Sequence, residues 1–415
     1  MKQTLWTKNF SLLILATTLG CIGGIAGSFA LSFLVFDETG STLAAAVVIA
    51  IEVIPFVFLP AIAAPWMDRL PRKPFLVFGD LINGVLFAAA GIYMLNFKFT
   101  YVGYLAFSLL LSCLNSFDQL AYDSIYPNLI PKGFEQKGYA VSSMLYPVLN
   151  VIITPLAAII YERVGVAWIL IAQGLFCALA SFTESFIKID EKNRMEGQKY
   201  SLSRWWQDIK DAVSYLKKER GLQRIYSYVA VTNGVASGTY PLLIAFFRTA
   251  PGFSPALYSM FSVAEFLGRS VGSAVQYRIK VPKEKKFPFV FFVYQFYDIM
   301  DMILLWLSYP LMLINRAACG FLGSNSATMR QAAVQSYIPD EFRSRINAFE
   351  TMLCTAASSV FSIICGALGE VLDYKVCMTV CGAIPLICSW IFIWLGRRHV
   401  RKIYETDEAE SETVN

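Results

Sequence analysis

Runs of about twenty or more predominantly apolar residues recur along the whole of this 415-residue chain, separated by short connections rich in charge, Pro and Gly. Coiled as an α-helix, such a run matches the hydrocarbon thickness of a bilayer. Twelve can be drawn: 10–36, 42–65, 74–96, 100–129, 138–161, 166–188, 223–247, 255–277, 287–309, 310–333, 346–370 and 375–396. Inside hydrocarbon the backbone N–H and C=O groups find no water, so only helices or a closed barrel can cross. The runs are continuous instead of alternating, which excludes a barrel. Composition agrees, at 56% hydrophobic and 16% charged with a positive mean hydropathy. No soluble fold hides that much apolar surface.

A second feature divides the chain. Ile130-Pro131, Phe134, Ala140, Met144-Leu145 and Glu162 recur at Ile338-Pro339, Phe342, Ala348, Met352-Leu353 and Glu370, every match 208 positions on. That spacing is half the chain. The predicted fold class is therefore all-α and integral to the membrane, with twelve transmembrane helices in two pseudo-symmetric six-helix bundles. The expected domains are a first bundle over 1–188, a linker over 189–222, a second bundle over 223–397 and a disordered acidic tail over 398–415. Repeated halves across a membrane point to a transporter.

Charge placement gives the orientation, because Lys and Arg concentrate on the cytoplasmic side of short loops. With the N-terminus inside, that side holds Lys2, Lys8, Arg69, Arg72, Lys73, Lys132, Lys137, ten in 188–224, five in 278–286, Arg343, Arg345 and four after Gly396. The opposite face holds Lys98, Arg163, Arg248 and Lys375. Both termini are predicted to be cytoplasmic, and the net charge of +5 reflects topology with no nucleic-acid signal. The first run is longer than a signal-peptide core and is read as a span. All nine Cys fall in predicted spans without the spacing of a metal site, so no metal or cofactor is expected.

In the linker, Leu202, Trp205, Trp206, Ile209, Ala212, Val213 and Leu216 follow the helical period, with Arg204, Asp208, Lys210, Asp211, Lys217 and Lys218 opposite. The spacing predicts an amphipathic helix on the inner leaflet, capped by Ser201 or Ser203 and stopped at Gly221. Gly20, Gly23, Gly24 and Gly27 in the first span, and Gly234 and Gly238 in the seventh, form small-residue stripes suited to close helix approach.

After the second span comes Ala64-Pro65-Trp66-Met67-Asp68-Arg69-Leu70-Pro71-Arg72-Lys73, which resembles the loop signature of the major facilitator superfamily. Ala64 stands at the usual Gly position, and the equivalent loop of the second half keeps Gly272 but has Gln276 in place of the acid. Thr39-Gly40-Ser41, Gly79-Asp80-Leu81 and the segment Gln335 to Arg345 are similar to the macrolide-efflux-like and enterobactin-exporter-like branch. The resemblance spans nearly the whole chain. It implies alternating access between two six-helix bundles, with a cavity lined mainly by spans 1, 2, 4, 5, 7, 8, 10 and 11, and it implies a monomer. An Asp at a helix end that accepts hydrogen bonds beside a basic group makes physical sense as a conformational latch, here Asp68, Arg69, Arg72 and Lys73 with Asp80 nearby.

Each ionisable residue inside a bilayer is costly unless paired or facing water. Glu52, Asp118 and Glu265 are the proton-coupling candidates, since a carboxylate in a desolvated cavity can carry a proton. Arg269, four residues from Glu265, is placed to pair with it on one helix face. Arg269 and Arg316, with Tyr122, Tyr146 and Tyr240, are the substrate-cavity candidates, and Phe246, Phe247 and Phe261 add aromatic surface. Asp298 and Asp301, on a peripheral span, are assigned to packing or helix-to-helix hydrogen bonds. Glu184 and Arg330 are expected to snorkel to the inner surface. The single histidine, His399, lies in the tail, so carboxylates must do any proton work.

The function that follows is secondary active transport. It is expected to be proton-coupled antiport (H+ as coupling ion) exporting a bulky, amphipathic small molecule (drug, macrolide-like compound or siderophore) across a bacterial inner membrane. An importer or uniporter of the same fold is the alternative. No glycine-rich phosphate loop is present to use ATP, and no nucleophile, base and orienter set supports a membrane lipid enzyme.

Overall fold

The computed structural model describes residues 4–67, 71–131, 133–188, 202–278 and 281–405. Among these the chain is helical throughout: α1 (Lys8–Thr39), α2 (Thr42–Met67), α3 (Arg72–Asn96), α4 (Tyr101–Leu129), α5 (Glu135–Val164), α6 (Val166–Ser185), α7 (Leu202–Lys218), α8 (Arg220–Thr249), α9 (Pro255–Arg278), α10 (Lys283–Ile303), α11 (Tyr309–Tyr337), α12 (Asp340–Val371), α13 (Tyr374–Cys388) and α14 (Arg397–Glu405). Each of the twelve expected spans overlaps one of these helices, with 287–309 and 375–396 running past the ends of α10 and α13. Nine spans are long and apolar enough to cross a membrane among the described residues. The three that fall short, α4, α9 and α11, carry Asp118 and Asp123, Glu265 and Arg269, and Arg316 and Arg330. Polar side chains lower the hydropathy of these three, and such helices need protein neighbours to sit in a bilayer.

Sequence dictates several helix ends directly. Both α4 and α11 stop at an Ile that precedes Pro, and a residue before Pro is pushed out of the α region. Ile130 takes φ −81° and ψ 123°, and Ile338 takes φ −82° and ψ 126°, so the repeat folds into the same turn twice. Helix α1 ends at Gly40, whose φ of 64° is left-handed and whose N–H returns to the Phe36 carbonyl at 2.8 Å, a glycine helix stop.

The chain divides into two compact units. The first comprises 1–40, 51–202 and 254–259; the second comprises 41–50, 203–253 and 260–415. In the first unit α3 lies on α6 through glycines: a Cβ on Gly174 would stand 2.6 Å from the Gly84 carbonyl, and one on Gly91 would stand 2.6 Å from the Ala167 carbonyl. Helix α1 meets α6 at Gly23 and Gly27, which rest on Gln173. Gly20 and Gly24 have nothing nearby, so only half of the predicted α1 stripe is a contact. Phe10, Leu13, Leu76, Ile125, Tyr126 and Ile187 form an apolar cluster in this unit.

In the second unit the predicted Gly234 and Gly238 seam packs on Ala357 and Phe361 of α12. Helix α7 forms as its periodicity predicts, but it ends at Lys218. Gly221, the predicted stop, lies inside α8 against the His399 carbonyl, because the packing of α14 leaves no room there for a side chain. Tyr215 of α7 stacks on Phe342, and Asp211 pairs with Arg345 at 3.7 Å. The tail is not disordered from residue 398: α14 runs to Glu405 and buries Val400, Ile403 and Tyr404. Burial holds the Tyr404 phenol well above its ordinary range. Its apolar residues recur at helical spacing, a signal that the charge of the segment obscured. The acidic residues from Asp407 onward lie outside the described residues.

Candidate transport site

The intramembrane charges separate by how they are satisfied. In the second unit two carboxylates are paired with cations: Glu265 with Arg269 and Asp301 with Arg316. Arg269 donates from Nε and Nη2 to Glu265 Oε1 at 3.0 and 2.6 Å, the i,i+4 pair that the spacing predicts. Arg316 donates from Nη2 to Asp301 Oδ1 of α10 and, at 3.1 Å, to Asn315 Oδ1. It is 8% exposed. Expected to offer charge to a cavity, Arg316 is instead turned onto α10, because a buried guanidinium needs a carboxylate beside it. Asp301 supplies the helix-to-helix contact assigned to it, and Asp298 accepts from the Tyr228 hydroxyl at 3.4 Å.

In the first unit Glu52, Asp80, Asp118 and Glu184 have no ion-pair partner among the described residues. Glu52 of α2 accepts a short hydrogen bond from the buried Ser108 hydroxyl of α4, and its backbone carbonyl accepts from Ser112 Oγ at 2.5 Å. Asp118 of α4 lies against Gly79 of α3, with Oδ1 buried and unpartnered. It is within electrostatic reach of Asp80 on α3 and of Glu184 on α6. Glu184 does not snorkel. It is 3% exposed, and its Oε2 has no hydrogen-bond partner. Its position near the end of the span predicts the membrane surface; the close glycine-mediated approach of α3 and α6 puts it in the interior. One turn on, Asn83 donates to Asn115 Oδ1 at 3.2 Å, a polar bridge between α3 and α4 that carried no sequence signal.

The aromatic candidates divide. Tyr146 is 55% exposed, Tyr240 is half-buried, and Tyr122 packs on Tyr126 with ring centroids 5.3 Å apart. Phe246, Phe247 and Phe261 are buried; Phe247 meets both of the others edge to face. They are core, since buried rings present no surface to a solute. Of the latch residues, Asp68 and Arg69 lie outside the described residues. Arg72 opens α3, and Lys73 Nζ donates to the Ser185 carbonyl at 2.6 Å, neutralising the end of α6. Asp80 is within electrostatic reach of Asp118 and Glu184.

The repeated glutamates have a role that the pattern did not reveal. Glu370 Oε1, at the end of α12, accepts from Ser41 Oγ (2.8 Å), Thr42 Oγ1 (3.1 Å) and Leu43 N (2.9 Å) at the start of α2. Glu162, its counterpart at the end of α5, accepts from Ala256 N at 3.4 Å at the start of α9. Each is an acid at the positive end of a helix supplied from elsewhere in the chain.

Helices without a strand among the described residues, apolar enough to cross a bilayer nine times and carrying charge within their spans, define an all-α, multi-pass membrane protein. The model of the Major Facilitator Superfamily matches residues 11–296 and 299–414, and the chain belongs to that superfamily of membrane transporters. No curated protein matches the sequence. Solved structures with a similar fold include the nucleoside transporter NupG, at 11% identity and a TM-score of 0.68, covering 94% of this chain and 99% of that one. A POT family transporter in complex with 5-aminolevulinic acid has 10% identity and a TM-score of 0.71, covering 94% and 96%.

Proposed function

We propose that the protein is a proton-coupled antiporter that exports a bulky, amphipathic small molecule by alternating access, as a monomer in a bacterial inner membrane with both termini in the cytoplasm. The observation that carries the coupling is the contrast between the candidate carboxylates on the spans expected to line the cavity. Glu265 and Arg316 are neutralised by partners, whereas Glu52 and Asp118, among the described residues, have hydroxyls or nothing. A carboxylate in a bilayer without a counter-cation must take a proton whenever it leaves water. Charged when open to one side and neutral when enclosed, it carries H+ across the cycle. Export and the substrate class are supported by the likeness of the sequence to the macrolide-efflux and enterobactin-exporter branch.

The test is pH quenching in energised inverted vesicles while macrolides, siderophores and dyes are added. Proton release triggered by a compound, and lost in Glu52→Gln or Asp118→Asn, is the expected result. Radiolabelled substrate that equilibrates while no compound moves protons would overturn antiport in favour of facilitated diffusion.

A further inference from the structure

A buried Glu184 with two half-buried aspartates, Asp80 and Asp118, in electrostatic reach on two other helices is the least expected arrangement in the first unit. Asp80, Asp118 and Glu184 act electrostatically on one another, and among the described residues none has an ion-pair partner. The other titratable groups in reach are thiols: Cys177 of α6 senses all three acids, and Cys21 of α1 senses Asp80. Lys73, the nearest cation along α3, is directed to the Ser185 carbonyl. Desolvating one ionised carboxylate costs several kcal/mol, and two side by side repel as well. Three ionised acids here are untenable.

Two further observations say what resolves the conflict. Glu184, 3% exposed, keeps Oε2 without a hydrogen-bond partner, and Asp118 Oδ1 is likewise buried and bare. Asn83, one turn along α3 and 5% exposed, leaves its Oδ1 unpartnered too. All three of these orphans are acceptor oxygens, so what is missing here is donors. A metal ion does not fit, because among the described residues no three acidic, His or Cys side chains stand close enough to hold one. Protons on the acids, relayed by water across the remaining gaps, supply donors and remove charge together.

We propose that Asp80, Asp118 and Glu184 form a proton-binding triad in the first unit, with Glu184 as the proton's resting place and the two aspartates as its exchange partners. The two aspartates are less enclosed than Glu184, so protons enter and leave through them. The triad deepens the proton-coupled reading by giving Asp118 two partners, and it assigns Asp80 to proton binding as well as to the neighbourhood of the latch.

Pressure on this proposal comes from infrared difference spectroscopy of the purified, lipid-reconstituted full chain, which sees protonated carboxyls without any transport. At neutral pH the wild type is expected to show a protonated-carboxyl C=O band that shifts in D2O and is lost in Glu184→Gln. In Asp118→Asn and Asp80→Asn the band should survive at a shifted frequency. Glu265→Gln, which removes an ion-paired carboxylate, should leave it unchanged. A wild-type band identical to that of all three triad variants would overturn the triad. Should Glu184→Gln fail to fold, the two isosteric aspartate variants decide, since an unmoved band in both overturns it equally. If the triad bands behave as expected and no compound moves protons in vesicles, the antiport reading fails while the proton site stands.

Discussion

Glu370 takes three hydrogen bonds from the start of α2, whereas Glu162, the same residue of the repeat, takes one long bond from the start of α9. Hydrogen bonds to a charged acceptor at a helix N-terminus are worth about 1–3 kcal/mol in total and are not additive. Glu370→Ala is therefore expected to lower stability by about 2 kcal/mol, and Glu162→Ala by less than about 0.5 kcal/mol. Thermal unfolding of the detergent-purified variants measures both; equal losses would mean that the acids act through something other than capping. Arg316 and Asp301 give a second residue-scale expectation. Breaking a buried pair by removing one partner costs about 3–5 kcal/mol, while an apolar replacement of both is far milder. Arg316→Met or Asp301→Leu alone should thus destabilise strongly, and the double variant should recover most of the loss in the same assay.

Helices were the most legible scale. Their runs, the two Ile-Pro stops and the amphipathic α7 can be read from residue order because each is set by local chemistry. What residue order does not carry is which helix face meets which neighbour. Gly20 and Gly23 look alike in sequence, yet one faces open space and the other Gln173. Glu184 looks like a surface acid until the Gly84 and Gly174 contact draws α6 onto α3, and Phe247 looks like a cavity ring until its edge-to-face partners are seen. The glycine contacts can be tested as elements. Gly174→Ala puts a methyl 2.6 Å from the Gly84 carbonyl and is expected to cost about 1–3 kcal/mol, as overpacked cores do. Gly20→Ala meets nothing within 4 Å and is expected to be neutral or to stabilise by up to about 1 kcal/mol through helix propensity. Unfolding midpoints in detergent distinguish the two, and a costly Gly20→Ala would show that the open side of α1 is occupied in the membrane.

At the scale of the whole molecule, neither half of the sequence contains all of its own compact unit. The first unit takes in Ser254–Ser259, and the second takes in Ser41–Ala50. Fragments 1–188 and 202–415 are accordingly expected to co-purify when expressed together, with each recovered poorly alone. A tag on one fragment and detection of the other reads this directly, and a first fragment that purifies by itself as a single well-behaved species would contradict it. The same exchange bears on descent. A half-length ancestor working as a two-fold pair would carry Glu162 and Glu370 as one gene position, so both caps would be identical by necessity. Covalent fusion separates them into two loci under independent selection. The present contrast between a triply bonded acid and a singly bonded one is a divergence that no symmetric homodimer can make.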